Sequence, residues 1–66
     1  MNTTKVGDRV RVVATNDHAL RPGMTGTVAH VDLLLGGRAV TVDWDERVPN
    51  DPALIERFGD RWEVIA

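Results

Sequence analysis

Arg38-Ala39-Val40-Thr41-Val42-Asp43-Trp44 decides the fold. Val40, Val42 and Trp44 fall on one side of an extended chain, and Ala39, Thr41 and Asp43 fall on the other. That is the period of two of a half-buried strand, because successive side chains of a strand point to opposite faces. Upstream, Asp8–Ala14 repeats the pattern, with Val10 and Val12 on one face and Arg9 and Arg11 on the other. Downstream, Arg61–Ile65 does so again, with Trp62 and Val64 inward. Thr25–Val31 is rich in β-prone Thr and Val and carries no helical stripe. Gly26 interrupts it and marks a bulge or a close backbone approach.

Punctuation separates these segments at Gly7, Pro22-Gly23, Gly36-Gly37, Pro49-Asn50, Pro52 and Gly59. Between Pro49 and Gly59 the period changes, and Asn50-Asp51-Pro52-Ala53-Leu54-Ile55-Glu56-Arg57-Phe58-Gly59 reads as one or two helical turns. Asn50 or Asp51 suits the N-cap, Pro52 the first turn and Gly59 the stop. Leu54 or Ile55 then shares a face with Phe58. A flat hairpin cannot bury two tryptophans and this many valines. Four to five short antiparallel strands, curled into a small all-β barrel with one helical turn before the last strand, can. The expected core is Val10, Val12, Met24, Val28, Val31, Val40, Val42, Trp44, Leu54, Ile55, Phe58, Trp62 and Val64.

Sixty-six residues make a single domain, spanning 1–66. A chain this short buries only about 60% of its unfolded surface. With no cysteine it has no disulfide to add. The N-terminal stretch lacks the apolar run of a signal peptide, and no apolar stretch approaches the roughly 20 residues of a membrane span. A cytoplasmic protein without membrane association is expected.

Val6–Val13, followed by Arg21-Pro22-Gly23-Met24-Thr25-Gly26-Thr27-Val28, resembles the opening hairpin of SH3-like barrels of the KOW type. Their signature is a strand, a loop, then G-x-x-G-x-V, and Gly23, Gly26 and Val28 fill those positions. The chain also resembles a family of small bacterial and phage proteins that has no established activity. The shared motifs are Gly7-Asp8-Arg9-Val10, Pro22–Val28, Val42-Asp43-Trp44-Asp45 and Asp60-Arg61-Trp62-Glu63-Val64. The resemblance implies an SH3-like barrel and a prokaryotic or phage origin, and the favoured reading is a phage- or mobile-element-encoded protein. The sequence departs from that family in two places. Leu33-Leu34-Leu35-Gly36-Gly37 replaces a short polar hairpin tip, and the segment between Trp44 and Asp60 is longer.

Catalysis has little to work with. The chain contains no serine or cysteine, and His18 and His30 are its only histidines. Asp43 and Asp45 fall on an outer face by alternation, whereas acid–base chemistry needs a desolvated cleft. A barrel of this size is normally filled with side chains. No metal or cofactor is expected. Asp17-His18 and His30 with Asp32 each fall short of the three or four ligands of a zinc site.

Two binding readings remain. The net charge of −2 is uneven, with an excess of two positive charges over residues 1–31 and of four negative charges over 32–66. Lys5, Arg9, Arg11 and Arg21 can therefore contact phosphates, giving a KOW-like nucleic-acid-binding accessory protein as the alternative function. The plainer reading is that Arg9 and Arg11 keep an edge strand soluble beside nearby acids. It is preferred because the acidic half lacks the basic footprint of such proteins. The favoured function is a non-enzymatic interaction module acting through protein contacts, with a homodimer among the candidate assemblies. Trp44 or Trp62 can line a groove, or both can be core. Leu33, Leu34 and Leu35 cannot all point inward along a strand. They either fold back to close a barrel end or form an interface.

Overall fold

The computed structural model describes residues 4–66. Among these residues five strands form one antiparallel sheet: β1 (Arg9–Ala14), β2 (Thr25–Leu34), β3 (Gly37–Trp44), β4 (Leu54–Ile55) and β5 (Arg61–Val64). Their order is β4-β3-β2-β1-β5, and a single 3-10 turn, Glu56–Phe58, precedes the last strand. The sheet curls on itself into a small, compact all-β barrel. Its two outer strands meet through Asp60: the Asp60 N–H donates to the Ile55 carbonyl at 3.3 Å, and the Ile55 N–H donates to Asp60 Oδ2 at 2.9 Å. Thr15 Oγ1 donates to the other carboxylate oxygen at 2.7 Å. Asp60 is buried, and it joins the ends of the sheet where no ladder does.

The core is Val10, Val12, Leu20, Met24, Val28, Val40, Val42, Trp44, Val48, Leu54 and Trp62, with Val31 and Val64 packed against it. Both tryptophans are core and both are satisfied. Trp44 Nε1 donates to the Pro52 carbonyl and Trp62 Nε1 to Thr4 Oγ1, each at 3.0 Å. Leu20 and Val48 join from loops, where no alternation announces them.

Gly26 is a close approach, not a bulge. A Cβ there would lie 2.5 Å from Val42 Cγ1 and 2.7 Å from the Asp43 carbonyl oxygen. The register shifts fall elsewhere, between Val28 and His30 in β2 and between Val12 and Ala14 in β1.

Four expectations are corrected. The helical segment is only three residues long, because Leu54 and Ile55 pair with Val40 and Ala39 and are strand. Asn50 and Asp51 do not cap it; they take left-handed conformations, φ 63° and 41°, in the turn before it, which their short polar side chains tolerate. Phe58 is 64% exposed and Ile55 only half-buried. With Leu54 committed to the sheet, the three-residue turn carries Phe58 outward. Finally, β1 is not an edge strand, since it pairs with β2 on one side and β5 on the other.

Candidate functional site

Beyond the barrel body, β2 and β3 continue as a two-stranded arm. β1 pairs with β2 only over Thr25–Thr27, and the chain entering β1 adds one more step, with Val28 N–H to the Asp8 carbonyl and Gly7 N–H to the Val28 carbonyl, both 2.8 Å. From His30 to Leu34, β2 pairs with β3 alone among the described residues. Leu34 pairs with Gly37 across the two-residue turn Leu35-Gly36, and Gly36 and Gly37 have φ of 91° and 139°. Side chains other than glycine rarely adopt such values, so the pair of glycines makes this reversal.

The β3 side of the arm is anchored. The Arg38 backbone N–H and Nε both donate to Glu56 Oε1, at 2.7 and 2.8 Å, and Nη2 donates to Oε2 at 3.1 Å. Arg38 Nη1 donates to Thr4 Oγ1 at 3.1 Å, and its Cζ lies 5.2 Å from the Trp62 ring centroid. Arg38 lowers the Glu56 carboxyl from its ordinary value, chiefly by these hydrogen bonds, and Glu56 raises Arg38 in return. A Cβ on Gly37 would lie 2.9 Å from Glu56 Cβ, so the arm rests directly on the 3-10 turn.

The apolar residues therefore sit on a fixed support. Leu33 is 84% exposed, Leu34 49% and Leu35 91%. They do not close the barrel. Alternation puts Leu33 on the face of Val31, continuing the inward stripe past the end of the body, and puts Leu34 on the face of His30 and Asp32. His30 Nε2 and Asp32 Oδ1 are 2.9 Å apart.

The basic residues land differently. Arg9 Nη1 and Nη2 grip Asp45 at 2.6 and 2.5 Å, and Nη1 also donates to Thr27 Oγ1 at 3.1 Å. Thr25 Oγ1 donates to Asp45 Oδ2 at 2.6 Å. Arg9 first, and Thr25 second, hold the Asp45 carboxyl far below the usual carboxylate range. Arg11 pairs with Glu63, and Arg21 with Glu46 at 2.8 Å. Lys5 is exposed, and its backbone N–H donates to Asp8 Oδ2 at 2.9 Å. The four cations are spread among carboxylates rather than gathered into one patch.

Two clefts flank the 3-10 turn. One of about 400 Å³ is bounded by Arg38, Glu56, Asp60 and Trp62; the other, about 190 Å³, by Asn16, Ala53, Ile55 and Phe58. Neither histidine lines either cleft. No group of three or more His, Asp or Glu gathers among the described residues. Among the described residues no helix is long and apolar enough to cross a membrane. Glu56, Asp60 and Thr4 organise the arm and the closure, yet each stands in the sequence as one polar residue among many. Only the Asp60-Arg61-Trp62 motif hinted at a role for one of them. No protein-family model, curated protein or solved structure matches the chain.

Proposed function

We propose that this chain is a non-enzymatic interaction module that binds a protein partner through the tip of its β2–β3 arm. The supporting observation is three consecutive leucines, two of them more than four-fifths exposed, on a hairpin braced by the Arg38–Glu56 contact. Contiguous exposed apolar surface on a soluble domain marks an interaction site. A braced arm also loses little conformational entropy on docking, which favours affinity. The nucleic-acid reading draws less support from the geometry. Arg9, Arg11 and Arg21 each already face a carboxylate, and a phosphate would have to displace it.

A photo-crosslinking amino acid at Leu35 tests the reading in the cells that make the protein. Discrete adducts from that position, and none from the same probe at exposed Asp43 on the barrel body, are expected. An absence of adducts at the tip, or equal labelling at both positions, would contradict it.

A further inference from the structure

We infer that the occupant of the arm is a second copy of this chain, joined antiparallel along the open edge of β2 with Asp32 on a two-fold axis. The inference rests on the reading of the arm as the contact surface and adds the partner and the register.

It begins with the backbone. Leu34 and Gly37 flank a two-residue turn, so they bond to each other across the hairpin. Main-chain groups alternate in direction along an antiparallel pair. Leu34 and Asp32 therefore direct N–H and C=O toward β3, while Leu33 and Val31 direct theirs to the open side. Among the described residues these groups meet no backbone partner. Such an edge is a template for another strand.

The edge is short, with a stop at each end. Toward the body, Gly7 and Asp8 occupy the place beside Val28. Toward the tip, the chain reverses at Leu35-Gly36. What lies between is centred on Asp32. An incoming strand must run about five residues and then turn away, and a second copy of the same edge has that length and turn. A foreign strand has no reason to.

Symmetry narrows the register. A two-fold axis joining two strands into one sheet runs perpendicular to it, so a residue must lie opposite itself. With Asp32 on the axis, Val31 lies opposite Leu33 of the second copy and Leu33 opposite Val31, and both pairs are of the outward-directed kind. All four open main-chain groups of each copy are then used, and the exposed Leu33 packs on the half-buried Val31. The tip leucine of each copy arrives beside the other's Val6, which is 64% exposed and held at Val28 by the Gly7 hydrogen bond. Moving the axis to Val31 would instead drive Leu33 of each copy into the space that Gly7 and Asp8 fill. The chosen register sets two carboxylates across the axis, an unfavourable like-charge pair. Each is met by its own His30 at 2.9 Å.

The absence of native cysteine makes the test clean. A residue on the axis in a non-hydrogen-bonded pair has its Cα about 4.5 Å from its counterpart, within disulfide range. Asp32→Cys is expected to give a disulfide-linked dimer under mild oxidation. Val31→Cys and the body control Asp43→Cys are expected to form no disulfide-linked dimer. The native chain is expected to sediment at twice its mass at ~1 mM, as a small interface of the weak class would, and Leu33→Glu to remain a monomer. A native chain that stays monomeric, or cross-linking equal at Asp32→Cys and Asp43→Cys, overturns the inference. Cross-linking at Val31→Cys in place of Asp32→Cys overturns the register and with it the proposal. If those fail while the Leu35 probe captures a different protein, the second copy is excluded and the arm reading stands. If the probe also captures nothing, both fall.

Discussion

Gly26 is the residue at which β2 and β3 approach most tightly for a side chain to fit. It sits in β2 between Val10 of β1 and Trp44 of β3, and a methyl group there would overlap both Val42 and the Asp43 carbonyl. Gly26→Ala is expected to lower stability by about 1–3 kcal/mol, the usual consequence of overpacking, read as a shifted urea midpoint. Asp60 is the second such position. Replacing it with Ala leaves the Ile55 N–H and the Thr15 hydroxyl without their acceptor, and a loss of about 1.5–3 kcal/mol is expected from hydrogen bonds to a charged group. Acid sensitivity follows from Asp45 and Glu56, whose carboxyls are held below their ordinary values by Arg9 and Arg38. Their unfolded values are about 3.9 and 4.3. Between folded and unfolded values the unfolded chain binds more protons, so stability falls as pH falls. Urea midpoints measured across pH should hold steady above about pH 5 and drop below it. In Asp45→Asn that drop should be shallower. The two glycine roles at this scale were readable from sequence, as a breaker inside a β-prone run and a Gly-Gly pair after one. The polar roles of Thr4, Glu56 and Asp60 were not, because a carboxylate or hydroxyl becomes structural only through a partner distant in the chain. Glu56 meets Arg38, and Asp60 meets Thr15.

At the scale of elements, β1, β3 and β5 were legible because each buries one face, and period two records that directly. β2 shows its period only as far as Val31, where its burial ends; the leucine run before Gly36-Gly37 was still readable as an extension of the strand, and Leu33 and Leu34 pair with β3 while standing largely exposed. β4 was illegible. Two residues cannot display a period, and Leu54-Ile55 is strand solely because β3 offers a ladder there. The same pairing separates Leu54, fully buried, from Phe58, 64% exposed. Leu54→Ala should therefore cost about 2–5 kcal/mol, as a large-to-small core change does. Phe58→Ala should stay within about 0.5 kcal/mol, as surface changes do. Thermal or urea unfolding of the two variants decides the point, and comparable losses would contradict the placement of Phe58. The arm obeys the same logic. Leu34→Glu is expected to leave the unfolding midpoint unmoved, since no core contact is removed, while weakening any association through the tip.

The whole molecule is a barrel whose body is neutralised and whose arm is not covered. On the body, arginines and acids from opposite halves of the sequence meet as Arg9–Asp45, Arg11–Glu63 and Arg21–Glu46. The lopsided charge of the linear chain is thus largely cancelled in three dimensions, which no reading of charge along the sequence can show. What remains distinctive is apolar. The leucine run stood out in the sequence, and the structure leaves it exposed instead of folding it back over a barrel end, while the open edge beside it emerges only from the register of β1 against β2. Labelled DNA and RNA at low salt are accordingly expected to bind weakly, with polarisation little changed by an Arg9→Glu/Arg11→Glu pair. Amide hydrogen exchange of the native chain as a function of its concentration tests the central claim most directly. The amides of Val31 and Leu33 should become more protected as concentration rises, while those of Asp32 and Leu34, already directed to β3, stay constant. Exchange at Val31 and Leu33 that is equally fast at every concentration would contradict the account.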